Sequence, residues 1–112
     1  MTPVQALGFL TGFFNYFKQL NINICECGID ATWLELYILY AEIDSSEYPI
    51  AYLFLESNSK SRNRIQTDTI LTFLNEIKLQ GLLPEFILTD KDFTQISAIR
   101  FTWPNAKIQL YH

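Results

Sequence analysis

The sequence predicts an α/β domain, a mixed sheet with helices packed against it, in the order β-β-β-α-β-α-β. Residues 23–55 consist of apolar, β-branched segments interrupted by a short polar turn, which is typical of neighbouring antiparallel strands. Residues 70–77 then repeat apolar side chains at helical spacing. After Pro84 come an apolar segment, a second helical pattern and a last apolar segment, which predict alternating strands and helices.

Composition fits one globular domain with a core of its own. The 112 residues are 49% hydrophobic and 15% aromatic, and only 18% are charged. The net charge of −4 argues against a free-standing nucleic-acid binder, because phosphate contacts normally require a basic face. The basic cluster of Lys60, Arg62 and Arg64 is expected to be solvated at the start of a helix.

Residues 1–22 are predicted to form an N-terminal helical segment that precedes the domain of residues 23–112. Apolar side chains recur there at helical spacing, at Phe9, Phe13, Tyr16 and Leu20. Polar residues leave the stretch short of the roughly 18 apolar residues of a membrane span, so no membrane partner is expected. An amphipathic helix packed on the domain is preferred to a signal peptide, because no basic residue precedes the apolar stretch.

The first three strands are predicted at Asn23–Trp33, Leu34–Ile43 and Pro49–Leu55. The second and third are joined by the polar residues 44–47, which indicates a hairpin. Because Pro49–Leu55 is continuously apolar, both of its faces are expected to be covered. Cys25 and Cys27 are expected to be reduced, buried thiols, since they match neither a disulfide framework nor a zinc site.

The second half is predicted to alternate helices and strands. The helix through Ile77 ends near Gly81, with Lys78 in its last turn. The strand Glu85–Thr89 follows, and Asp92 with Gln95 forms a capping-box-like start for the next helix. Pro104 ends that helix, and residues 107–111 begin a fifth strand.

Two aspartates, Asp30 and Asp90, each end an apolar strand. If those strands are neighbours, the two carboxylates converge and repel each other unless a cation lies between them. Oxygen ligands of this kind suit Mg²⁺ or Mn²⁺, and two such ions promote phosphodiester hydrolysis and strand transfer. From the residues alone, a turn residue is the preferred interpretation of Asp30, and a helix cap is the alternative for Asp90, although Asp92 fills that role better.

The sequence motifs around these two aspartates resemble those of the transposase domain of Mutator-like (MULE) elements, a ribonuclease H-like family. The resemblance is carried by Asp30-Ala31-Thr32-Trp33, by Pro84 through Asp90, by Ala98-Ile99 and by Trp103-Pro104-Asn105-Ala106. It extends from about Cys27 to the end of the chain. By resemblance, Asp30 and Asp90 are the first two acids of a catalytic Asp-Asp-Glu triad, catalytic and metal-binding at once, with Mg²⁺ or Mn²⁺ as the cofactor.

The resemblance also implies what is missing. The family's glutamate lies on a later helix, so the domain is expected to be incomplete at its C-terminal end and inactive alone. His112 lies near the start of a family motif that ends in histidine, but its register is ambiguous and it is not assigned as a ligand. Three further expectations follow from the resemblance alone: DNA as the partner, a nuclear location, and oligomers formed through missing regions. The alternative is a non-catalytic relic or domesticated interaction domain with the same fold.

Overall fold

The computed structural model describes residues 4–31, 36–57, 62–90 and 92–110. The described part contains six strands and three helices. In chain order they are β1 (Val4–Thr11), α1 (Phe14–Gln19), β2 (Glu26–Ala31), β3 (Leu36–Ile43), β4 (Ser46–Ser57), α2 (Arg62–Leu79), β5 (Phe86–Thr89), α3 (Phe93–Thr102) and β6 (Lys107–Leu110). From β2 onwards the order is the predicted one, and the α/β class is confirmed.

The strands form one mixed sheet in the order β1-β4-β3-β2-β5-β6. Antiparallel pairs join β1 to β4, β4 to β3 and β3 to β2. The pairs β2–β5 and β5–β6 are parallel. Strand β2 therefore lies inside the sheet, at the junction between its antiparallel and parallel halves.

The prediction of an N-terminal helix is wrong for most of its length. Residues 4–11 form β1, which pairs with the far half of β4 from Val4↔Ser57 to Thr11↔Ala51, and only Phe14–Gln19 is helical. Short apolar runs carry ambiguous periodicity, and hydrogen bonds to a strand some forty residues away override the local pattern. Phe14 and Phe17 are the buried residues of α1, whereas Phe13, Tyr16 and Leu20 of the predicted stripe are exposed.

The core lies on one face of the sheet, where the strands meet α2 and α3. Alternate residues of the central strands point into it, including Cys27, Ile29, Leu39 and Ile87. From the helices come Ile70, Phe73, Leu74, Ile77, Ala98 and Ile99. The predicted apolar stripe of α2 is thus confirmed as its buried face.

The opposite sheet face is only partly covered, which corrects the expectation for Pro49–Leu55. Ala51 and Leu53 of β4 are buried, but Tyr52 and Phe54, which alternate with them, are half-buried, and their rings stack with centroids 6.5 Å apart. The continuous apolar run therefore has a buried helix side and a more open aromatic side.

The end of α2 and the start of α3 lie where the sequence predicts, for identifiable reasons. Gly81 has a φ of 113°, and the N–H groups of Gly81 and Leu82 donate to the carbonyls of Lys78 and Ile77 at 2.9 and 3.3 Å. This is the Schellman arrangement that closes a helix. At the start of α3, the Asp92 carboxylate accepts the N–H of Thr94 at 2.8 Å and caps the helix.

None of the described helices combines the length and apolar character that crossing a membrane requires.

Candidate functional site

Asp30 and Asp90 lie at the same end of two neighbouring parallel strands. Asp30 is the second-last residue of β2, and Asp90 follows directly after β5. The register of this pair runs Cys27↔Ile87 and Gly28↔Leu88. The paired stretch ends at Gly28↔Leu88, and Asp30 and Asp90 each lie two residues beyond it, at the same end of the two strands.

The alternation of each strand turns both carboxylates away from the helices. Ile29 and Thr89, the residues immediately before the two acids, are buried at 1% and 0% exposure. Successive side chains of a strand point to opposite faces, so Asp30 extends towards the more open face, and Asp90 follows the last inward-facing residue of β5. Both aspartates are exposed.

Electrostatics link the two groups. The pKa of the Asp30 carboxyl is raised above its ordinary value, first by partial burial and second by the negative charge of Asp90. Two neighbouring carboxylates resist being ionised together, and a cation between them removes that penalty. The negative charge of Asp90, the second cause of the raised pKa of Asp30, would also attract a cation.

The donor set fits a weakly held divalent cation but is small. Carboxylate oxygens are the ligands that Mg²⁺ and Mn²⁺ prefer, and Mg²⁺ often uses only one or two of them while keeping several waters. Within the described ranges, no group of three or more His, Cys, Asp or Glu side chains is arranged to hold a metal ion. Asp30 and Asp90 are thus a pair rather than part of a described three-acid cluster.

A buried polar pair behind Asp90 was missed by sequence analysis. The Thr89 hydroxyl donates to Oε1 of Gln95 at 2.5 Å, and both side chains are fully buried. Nε2 of Gln95 has no hydrogen-bond partner among the described residues. The Gln95 side chain therefore bonds to β5 and does not reach back to Asp92, so the predicted capping box is half wrong. A glutamine at helical spacing from Ala98 and Ile99, on the buried face of α3, was the available signal.

Gly28 shapes the strand that carries Asp30. It pairs with Tyr40 across β2 and β3, and a side chain at Gly28 would collide with the Tyr40 ring, which is itself buried at 6% exposure. The ring thus lies over the β2 backbone two residues before the acid. Only glycine permits this close approach.

The two cysteines are free, as expected. Burial raises the pKa of Cys27 to about 12, with a smaller contribution from Cys25, so its thiol stays protonated. Cys25 is only half-buried, contrary to expectation, and its thiol donates to the Glu85 carboxylate at 2.9 Å. That hydrogen bond is the first cause of a raised pKa of Cys25, followed by burial and by nearby acids.

Several other predictions concern side chains around the site. Trp103 is a packing residue, with 4% exposure and an indole N–H that donates to the Leu82 carbonyl at 2.9 Å. Lys78 donates at 2.9 Å to the carbonyl of Thr102, at the end of α3 rather than of its own helix. Trp33, Lys60 and His112 lie outside the described residues, as do the side chains of Arg62 and Arg64.

A cleft of about 630 Å³ lies at the other end of the parallel strands. Phe86, the first residue of β5, and Lys107, the first residue of β6, line it. Asp90 follows the last residue of β5, so the cleft and the acid pair are separated by the length of that strand.

Comparison with protein-family models, curated proteins and solved structures finds no match to this chain. Its function is therefore inferred from its own residues.

Proposed function

We propose that this chain is part of a ribonuclease H-like DNA transposase core of the Mutator-like kind, in which Asp30 and Asp90 together hold one divalent cation. The observation that carries the proposal is their position at the carboxyl ends of β2 and β5, which are adjacent and parallel. Ligands of open α/β sheets bind preferentially outside the carboxyl ends of strands.

The sheet topology supports the finer fold proposal. When β1 is set aside, the sheet order is β4-β3-β2-β5-β6. Counted along the chain from β2 as the first strand, this order is third, second, first, fourth and fifth. The first strand, β2, is antiparallel to the second, β3, and parallel to the fourth, β5. The two acids lie on the first and fourth of these strands. This arrangement suits a ribonuclease H-like sheet, with β1 as an additional edge strand.

In this proposal, Asp30 and Asp90 contribute their negative charge and their position, and the chemistry comes from the cation that they would hold. When bound, Mg²⁺ or Mn²⁺ supplies Lewis acidity towards a phosphodiester oxygen. Asp30 and Asp90 would hold the ion and neutralise it in part, and the chain's net charge of −4 makes such an ion the natural bridge to DNA. One carboxylate pair holds one ion, so we expect the 112-residue polypeptide neither to cut nor to join DNA by itself.

DNA as the partner and a nuclear location belong to the same proposal. A second candidate is a non-catalytic interaction domain of the same fold. It is favoured by the cleft at the amino ends of β5 and β6, which has polar and apolar walls of its own far from the acids.

Calorimetric titration with Mn²⁺ tests the cation site. We expect weak binding by the parent chain and loss of the binding heat in both Asp30→Asn and Asp90→Asn, because each variant removes half of the donor set. Asp68→Asn is the matched control, since Asp68 is an exposed aspartate on α2. Equal heats in the parent, Asp30→Asn and Asp90→Asn would disprove the site.

A plasmid-nicking assay with Mg²⁺ tests the expected inactivity. No nicking above that of the Asp90→Ala variant is expected. Magnesium-dependent nicking that disappears in Asp90→Ala would show that the chain is a complete nuclease.

A further inference from the structure

The cleft at the amino ends of β5 and β6 has the size and walls of a small-molecule site. Its volume of about 630 Å³ lies within the ~300–1,000 Å³ that ligand pockets usually span. It is bounded by the ends of α2 and α3 and by the segments that lead into β5 and β6. Every residue that lines it belongs to the described part of the chain.

The apolar walls are flat and held in place. Trp103 is 4% exposed, and its indole N–H donates to the Leu82 carbonyl at 2.9 Å, so the ring is held in place behind the cleft with little of its surface open. Pro84 and Pro104 add two rigid rings, and the half-buried Phe86 adds a second aromatic surface. Flat, rigid walls favour a flat apolar ligand, because little side-chain entropy is lost when it binds.

The charged side chains of the cleft are mainly cationic. The Lys78 ammonium donates one hydrogen bond to the Thr102 carbonyl at 2.9 Å, which fixes its position and leaves two further protons to donate. The Lys107 ammonium lies 5.6 Å from the centroid of the Phe86 ring. Both lysines line the cleft.

Glu85 is the acidic residue of the lining, and its Oε2 already accepts the Cys25 thiol at 2.9 Å. Two lysines and one glutamate give the lining a formal charge of +1, in a chain whose net charge is −4. The cleft therefore opposes the sign of the whole molecule.

We propose that this cleft binds a small organic anion with a flat apolar body, such as an aromatic carboxylate. The body lies between Phe86 and Pro104, with the buried Trp103 ring behind it, and the anionic group accepts hydrogen bonds from Lys78, with Lys107 on its other side. Charge-assisted hydrogen bonds to a partly buried ammonium give this group most of its selectivity. The inference is independent of the acid pair at the opposite end of β5.

The test uses naphthalene-2-carboxylate and its neutral isostere naphthalene-2-carboxamide as probes. Calorimetry is expected to give a Kd for the carboxylate below about 1 mM, and at least about fivefold weaker binding of the carboxamide. The Trp103 indole resonance in ¹H–¹⁵N spectra should shift with the same saturation curve. Equal binding of both probes, or saturation without a Trp103 shift, would overturn the proposal.

Lysine variants locate the anion. Lys78→Met and Lys107→Met keep the apolar stems and remove the charges, and each is expected to weaken carboxylate binding by about fivefold while leaving the carboxamide unaffected. Two variants are needed, because Lys78 also holds α3 in place. Lys18→Met is the matched control, since Lys18 lies 5.3 Å from the centroid of the Phe14 ring and is not among the residues that line the cleft.

Equal weakening by all three lysine variants would show a non-specific charge effect and refute the site. Asp90→Asn should leave carboxylate binding intact, and Lys78→Met should leave Mn²⁺ binding intact. A failure of either proposal is thereby distinguished from a failure of the other.

Discussion

At the scale of single residues, the behaviour of Asp30 depends on its neighbour Asp90. Partial burial and then the charge of Asp90 raise the pKa of the Asp30 carboxyl above its ordinary value. Asp90→Asn removes the second cause and leaves the first. We expect the pKa of Asp30 to fall in this variant but to stay above its ordinary value, as measured by carboxyl ¹³C shifts during a pH titration by NMR.

Stability should follow the same sign. A raised folded-state pKa means that the folded chain binds the Asp30 proton more tightly than the unfolded chain, so stability is lost as the pH rises through the folded pKa. Asp30→Asn removes this loss and should raise the denaturation midpoint at pH 7 relative to the parent. The control variant Asp68→Asn should change neither the pKa of Asp30 nor the denaturation midpoint at pH 7. An unchanged Asp30 titration in Asp90→Asn would mean that the two carboxylates are too far apart to interact.

The Thr89–Gln95 pair tests whether a polar group in the core stabilises the fold. Thr89→Val alone leaves the whole Gln95 amide buried without a partner, and we expect it to lower the free energy of unfolding by ~1–3 kcal/mol. The double variant Thr89→Val/Gln95→Leu replaces both partners with apolar groups of similar shape. Its stability should equal or exceed that of the parent in urea denaturation. A double variant less stable than Thr89→Val would show that Gln95 has a further partner.

At the scale of elements, the turn between β3 and β4 carries visible backbone strain. Asp44 and Ser45 have φ angles of 53° and 67°, so both central residues of this two-residue hairpin are left-handed. Such turns favour Asn or Asp followed by Gly, and a left-handed residue with a Cβ costs roughly 1–2 kcal/mol relative to Gly. Serine is thus a poor choice at position 45.

Ser45→Gly should therefore stabilise the chain by up to about 1 kcal/mol, measured as a higher midpoint of thermal or urea unfolding. Ser46→Gly is the control, because Ser46 is the first residue of β4, where glycine loses more conformational freedom on folding. That control should be neutral or destabilising. Equal effects of the two substitutions would contradict the turn geometry.

Elements also show what the sequence could predict. The strands and helices from β2 onwards were predictable because their patterns are local: the Asp44-Ser45 turn, the stripe ending at Ile77, the cap at Asp92. The strand at Val4–Thr11 was not, since its apolar run suits a helix equally and its partner β4 is distant in sequence. Asp30 and Asp90 lie at the same end of the sheet only because β2 pairs with β5, and no local sequence pattern specifies that pairing. Gln95 was interpreted as part of a helix cap because of its spacing from Asp92. Its actual hydrogen bond to Thr89 joins two different elements, so no local pattern reveals it.

At the scale of the whole molecule, the sheet order predicts how stability is distributed. β2 and β3 are hydrogen-bonded on both sides, and their residues Ile29 and Leu39 are almost completely buried at 1% and 0% exposure. Among the described strands, β6 lies at the edge of the sheet and pairs with β5 alone, and its four residues are half-buried or exposed. Backbone amides in well-packed central strands exchange only through global unfolding, whereas edge strands open locally.

Hydrogen exchange should therefore separate these strands by at least about tenfold in rate, with the amides of Ile29 and Leu39 slowest and those of Ile108 and Leu110 fastest. Two-dimensional NMR after transfer into D₂O measures both sets in one sample. Among the residues of β6, Lys107 is the internal comparison, because its N–H donates to the Glu85 carbonyl at 2.8 Å and should exchange more slowly than its neighbours. Equal protection of β6 and β2 would mean that a further strand or a second molecule covers the β6 edge.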